Sequence, residues 1–350
     1  MDAGLLDLYS DFLILGNRYA TATGISAMTD NVVSHDKVTR FLSEKELGDK
    51  ERWAMVKRTV RKIEQEDGVL ICDDTINEKP HMDENGIVGW YFDHSKGRSV
   101  KGVNILSVLY EAQGICIPLS VQLVRKNEDG KAKVGKNELF RESFLHAVGN
   151  QVKFKYVLAD VWYASSENME FIKETHKKDF IFPVKANRTV ALSEGQGHRR
   201  QYVKINSLKL KPGDRKQVYL KGVGFPVQLI TDIFVNKDGS EGVQYLVCSD
   251  LTATYQQIIT QYQRRWRVEE YHRSLKNNAS LSASPARAER TQANHIFASV
   301  YAFFKLELMK VKHKMNHYAM KMVLATTALK AAFEKMKELK QGIQLPLDFA

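Results

Sequence analysis

The chain has 350 residues, 43% of them apolar and 27% charged, which is too apolar for a disordered polymer and long enough for more than one module. Lys and Arg number 52 against 41 Asp and Glu, a net charge of +11, so a polyanion such as nucleic acid is the favoured partner. Cys72, Cys116 and Cys248 stand far apart inside apolar, strand-like runs, which supports neither a disulfide framework nor a zinc cluster and leaves buried thiols. MDAGLLDLYSDFLILG has no basic leader and no run reaches the roughly 18 apolar residues of a membrane span, so a cytoplasmic protein without membrane contact is expected.

Residues 1–66 read as helical: proline is absent and Leu5, Leu6, Tyr9, Phe12 and Leu13 recur at helical spacing. ATATGISAMTD and SHDKVTRFLSEKE outline two short helices, the second capped by Ser34. A helix-turn-helix of this outline would offer Lys37, Thr39 and Arg40 to a major groove, although any small helical bundle carries the same pattern. From Val69 the texture turns to β, with strands VLICDD, SVKGVNILSVLYEA and GICIPLSVQLV. A helix near Asn137–Val148, a strand ending at Asp160, a helix near Glu167–Lys177 and a strand ending at Lys185 complete the order βββαβαβ.

Residues 189–249 hold further strand-like runs (QVYLKGV, FPVQLITDIFV, GVQYLVCS) and read as a β-rich insertion. Within 198–221, Arg199, Arg200, Lys204, Lys209, Lys211, Arg215, Lys216 and Lys221 face one acid, Asp214, which is either a solvated face or a phosphate contact. Helix resumes near Thr252 and runs, with breaks, to near Leu339, ahead of a loose tail. The expected organisation is a helical DNA-binding region (1–66), an α/β core in two parts (67–188 and 250–310) around the insertion (189–249), and a helical C-terminal region (311–350).

Three acidic positions could meet in such a fold. Asp73 and Asp74 end the first strand, Asp160 ends the fourth, and Glu269 lies on the helix after the insertion. Side chains alternate along a strand, so only one of Asp73 and Asp74 can face a shared site. Converging carboxylates are hard oxygen ligands suited to two Mg²⁺ ions; the plainer reading is turn-forming and helix-capping aspartates. In QYQRRWRVEEYHRSLK, Tyr262, Arg265, Glu269 and Lys276 fall near 0°, −60°, −20° and −40° at about 100° per residue, with Arg273 near +20°. One stripe thus offers a metal-binding Glu flanked by phosphate donors, or alternatively an i,i+4 surface salt bridge between Arg265 and Glu269. His313 and His317 share zinc-helix spacing, but Lys314 stands where a zinc protease carries Glu, so an exposed basic helix is expected there.

The pattern Tyr262-x2-Arg265-x3-Glu269-x6-Lys276 resembles the YREK signature of DDE transposases encoded by bacterial insertion sequences, in particular the large cut-and-paste family numbered four. Asp73-Asp74-Thr75 is similar to that family's first catalytic motif and Leu158–Tyr163 to its second; the Asp160 to Glu269 separation, 269 − 160 = 109 residues, leaves room for its β insertion. The resemblance implies an RNase H-like core, a mixed sheet flanked by helices. It implies Asp74, Asp160 and Glu269 as the metal triad, Asp74 being preferred because it directly precedes the hydroxyl residue. It also implies Tyr262, Arg265 and Lys276 on double-stranded DNA ends, two Mg²⁺ ions for which Mn²⁺ can substitute, and a homodimer on paired ends. The alternative is an RNase H-like nuclease or an inactive transposase-derived DNA-binding protein. By the same likeness Trp162 and Trp266 would either pack against a base or fill the core, and core is the expectation for both.

Overall fold

The computed structural model describes residues 2–16, 19–127, 129–193, 201–235 and 238–341. They fall into two compact units. The first (1–41, 274–285 and 298–350) is helical and includes α1 (Ala3–Leu15), α2 (Ala22–Met28), the first turns of α3 (His35–Glu44) and all of α10 (His317–Lys340). Asp2 caps α1 by accepting from the Leu5 amide at 2.9 Å, and Ser34 caps α3 by accepting from Lys37 at 3.3 Å, as the sequence pattern implies.

The second unit (42–273 and 286–297) carries the sheet. Helix α4 (Asp49–Ile63) leads into β1 (Val69–Glu78), β2 (Val88–Asp93), β3 (Arg98–Ala112) and β4 (Ile115–Leu123), then α5 (Lys136–Gly149), β5 (Tyr156–Ala159), α6 (Ser166–Glu170) with a following π turn, and β6 (Asp179–Val184). Four strands therefore precede α5, where sequence reading finds three. β1 lies between antiparallel β3 and parallel β5, and β6 runs parallel to β5. This is the mixed α/β sheet expected of an RNase H-like core. β3 is buried on both faces from Gly102 to Ala112, each large apolar side chain contributing about 1.5–3 kcal/mol. Asp49, at the start of α4, accepts from the Val121 amide at 3.1 Å and from Gln122 Nε2 at 2.8 Å, which stitches the helix to β4.

The strands of 189–249 continue this sheet. β7 (Thr189–Ala191), β8 (Val203–Lys204), β9 (Arg215–Leu220), β10 (Val227–Val235) and β11 (Glu241–Cys248) extend it from β6, beginning with the antiparallel pair β11 to β6. Of the basic run, Arg199 and Arg200 lie outside the described residues. At the exit of β11, Asp250 accepts from Tyr156 Oη at 2.8 Å and Thr252 N at 2.9 Å and pairs with Lys155 at 2.8 Å, tying the insertion back to the start of β5. Cys72, Cys116 and Cys248 are buried free thiols. No helix among the described residues is long and apolar enough to cross a membrane.

Two expectations fail. Trp162 and Trp266 are 56% and 55% exposed: each sits on a one-turn helix, Val161–Tyr163, where Tyr163 takes the buried position, and Arg264–Trp266, where no residue is buried. His317 is buried rather than exposed: a break between α9 (Glu289–His313) and α10 puts it beside Glu307 at 3.1 Å and Ser274 Oγ at 2.8 Å, both in its own unit.

Gly102 has no room for a side chain, since an added Cβ would lie 2.4 Å from the backbone oxygen of Asn77 on the adjoining strand. Gly102→Ala is expected to cost about 1–3 kcal/mol in urea unfolding. Burial pushes the Asp250 carboxyl up, but the bonds from Lys155, Thr252 and Tyr156 outweigh it and hold it below its usual range. Its contribution is therefore complete above the unfolded value near 3.9 and lost as pH falls toward the folded one. Asp250→Asn should flatten the acid limb of the stability curve measured by thermal unfolding.

Candidate active site

The site forms where β1 outlasts its parallel partner. β5 ends at Ala159, opposite Cys72, while β1 runs on to Glu78 paired to β3. Asp73 and Asp74 thus lie within the strand rather than at its end. One residue beyond the last β1 to β5 pair, Asp73 and Asp160 stand side by side, and register partners in a parallel pair project to the same face. The gap outside the carboxyl ends of neighbouring strands is the usual place for a ligand in such sheets.

Glu269 arrives from the helix after the insertion. α7 (Tyr255–Gln263) passes through the 3₁₀ turn Arg264–Trp266 into α8 (Arg267–Asn278). A straight α-helical projection does not hold through that turn, because a 3₁₀ segment winds more tightly. Arg264, which sequence reading passed over, pins the turn: it donates to the carbonyls of Glu111 and Asp67, both at 2.9 Å, and pairs with the Glu111 carboxylate. Its neighbour Arg265 then reaches 3.5 Å from Asp73 and 3.6 Å from Glu269, with its guanidinium 5.9 Å from the Tyr262 ring centre. Tyr262 Oη accepts from Gln244 of β11 at 3.4 Å. Tyr271, fully buried on α8, lies 3.3 Å from Ser107 Oγ of β3.

Asp73, Glu269 and His272 each present a ligand atom within 4.8 Å of the others. His272, one turn after Glu269, was missed; the Glu-x-x-His spacing was its signal. Asp74 points to the opposite face. Its carboxylate accepts from Lys136 at 2.7 Å, Asn104 at 2.9 Å and Tyr163 Oη at 2.7 Å. Burial holds the Tyr163 phenol well above its usual range, so it stays a donor. The strand therefore aims Asp73, not Asp74, at Glu269. Asp160 accepts the Trp162 amide at 2.8 Å and so also caps its one-turn helix.

The electrostatics of this set favour a cation. Burial, then the charge of Asp160, push the Asp73 carboxyl up to about 8 against the opposing Arg265; burial, opposed by the Trp162 amide, also raises Asp160. Desolvated carboxylates short of positive charge, with an imidazole beside them, fit a divalent ion.

A family model of the transposase DDE domain matches residues 64–304, over two thirds of the chain. The chain belongs to this transposase family. No curated protein matches it. As a DDE transposase it acts on DNA through divalent metal ions, and the matched span contains Asp73, Asp160 and Glu269.

Other expected residues of this transposase are spread more widely. Arg273 is exposed on α8. Lys276 is exposed in the first unit, where it lines a cavity of about 740 Å³ with Lys321, Asn277 and Tyr19. Lys37, Thr39 and Arg40 are exposed on α3, and Lys37 lies 3.6 Å from Asp2.

Because the folded protein holds a proton on Asp73, that group's stabilisation is complete below the unfolded value near 3.9 and lost as pH rises toward about 8. In metal-free buffer the melting temperature of wild type should fall across this range more than that of Asp73→Asn. Added Mg²⁺ should raise the melting temperature of wild type but not of Asp73→Asn. Asp74→Ala should instead lose about 1–3 kcal/mol in either buffer, since it leaves Asn104, Tyr163 and Lys136 without their shared acceptor.

Proposed function

We propose that this transposase is of the YREK cut-and-paste type of family four, cleaving transposon ends and joining them to target DNA, with Asp73, Asp160 and Glu269 as its metal ligands. The observation that carries the reading is the convergence of Asp73, Glu269 and His272 within 4.8 Å, with Asp160 near enough for its charge to raise the Asp73 carboxyl. Magnesium, or manganese in its place, would supply the charge that activates an attacking water and steadies the leaving 3′ oxygen. Asp73 and Asp160, fixed by the strand register, would hold that ion against the sheet. Arg265 neutralises charge bidentately at a DNA phosphate, which Lys could not do. Tyr262 and Arg273 of the second unit grip the DNA end; in the first unit Lys276 adds a phosphate contact and Lys37 and Arg40 read sequence.

Excision in cells of a marker placed between the DNA segments flanking this gene tests the reading. Wild type should excise it, and Glu269→Gln and Asp73→Asn should each lose at least about a hundredfold. Equal excision by Glu269→Gln would discard the site. Full activity of Asp73→Asn with none from a folded Asp74→Asn would restore Asp74 as the ligand.

A homodimer on paired ends is part of this proposal, and α10 supports it. Tyr318, Met322, Leu329, Phe333 and Met336 are all exposed and at about 100° per residue share one stripe. Two such stripes would bury about 1,200 Å² between them, the size at which specific interfaces begin. Light scattering should find wild type dimeric and Leu329→Glu/Phe333→Glu monomeric with unchanged helicity; a variant that stays dimeric would remove α10 from the interface.

A further inference from the structure

Outside the carboxylate cluster, the second unit carries a row of rings that neither the core nor the metal site uses. Phe92, on β2, is 55% exposed and Trp162 56%. Between them the exposed His94 ring lies 4.9 Å from the Phe92 centroid and 6.5 Å from that of Trp162. Trp90, on the same face of β2 two residues earlier, is also exposed and is steadied by Glu84, which accepts from Nε1 at 2.9 Å. Single exposed apolar residues need no explanation, but a contiguous aromatic patch does.

The row is built into the fold. Trp162 is held two residues beyond Asp160 through its amide bond to that carboxylate at 2.8 Å. The β2 to β3 turn is pinned by Asp93, which accepts from the Ser95 amide at 2.9 Å and hydroxyl at 2.6 Å, and Gly97 takes the left-handed conformation at φ +63. Lys136 Nζ lies 5.5 Å from the Trp162 ring centre while donating to Asp74. Arg98 is exposed beside the turn, and Lys96, also exposed at its tip, pairs with the Glu78 carboxylate.

Aromatic faces next to cations suit one class of occupant. A protein partner would bury the row as apolar area and would have to bring separate acidic side chains to meet the cations beside it. A nucleobase offers a flat π face to the rings and its own phosphate to the cations. Bases inside a duplex are stacked on their neighbours and cannot present that face, so the ligand is an unpaired base.

We propose that Phe92, His94 and Trp162 form a platform that stacks unpaired bases of a DNA strand whose phosphate lies at the adjacent carboxylates. The platform rests on the DNA-cleaving reading above, but its test does not require cleavage. Anisotropy titrations in metal-free buffer would compare labelled oligothymidylate with a mixed-sequence duplex of equal length on the full chain. Trp162→Ala and Phe92→Ala should each weaken oligothymidylate binding about tenfold, leave duplex binding within about twofold, and Trp162→Phe should restore most of the loss. Failure of wild type to bind oligothymidylate, a loss under about threefold, or equal losses on both DNAs would overturn the platform. Duplex binding by wild type shows separately that the DNA-acting reading survives such a result.

Discussion

The parallel pairing of β1 with β5 is the constraint on which the rest of the site depends. Its partners, Val69 to Cys72 and Tyr156 to Ala159, are nearly ninety residues apart in sequence, so the contact closes a long connection that holds β2, β3, β4 and α5. A slip of one residue would turn Asp73 away from Asp160 and bring Asp74 to the metal face. Two features resist that slip. β1 is paired along its whole length to β3, and Gly102 lets the two backbones approach at Asn77 and Glu78. The residues on either side of the register, Ile71, Cys72, Leu158 and Ala159, are fully buried.

Given that register, adjacent aspartates acquire opposite characters. Asp74 is surrounded by donors from three elements, Asn104 on β3, Tyr163 after β5 and Lys136 at the start of α5. It behaves as a structural anion that locks α5 and the Asp160 turn onto the sheet. Asp73 has one cation, Arg265, at 3.5 Å and shared with Glu269, and its carboxyl rises accordingly. Identical side chains one residue apart thus meet three donors in one place and a single shared cation in the other, through the alternation of a strand alone.

Much of this was legible in sequence. The apolar runs of β1, β3 and β4 are strongly β, and the spacing of Tyr262, Arg265 and Glu269 survives in the structure as a cluster. What escaped were features set by tertiary neighbours. β2 (VGWYFD) was missed because its outward residues are Trp90 and Phe92 rather than polar ones, so the period-two signal vanishes. The two tryptophans expected in the core are exposed because hydrophobicity does not say which side of a one-turn helix faces in. Asp73 could not be chosen over Asp74 without the β1 to β5 register. The 3₁₀ turn at Arg264–Trp266 depends on acceptors at Asp67 and Glu111, some 150 or more residues earlier, and no local pattern reports it.

The site also explains why so large a sheet surrounds so small a cluster. Carboxylates that repel one another in a partly dry gap oppose folding when no cation is present, as the raised Asp73 and Asp160 indicate. That opposition must be met by interactions that do not change when metal or DNA arrives. The β3 core, the Asp250 stitch to Lys155 and Tyr156 at the start of β5, and the Arg264 clamp are all made by groups other than the clustered ligands. An ion held there would relieve the repulsion at ligands that these other interactions already position.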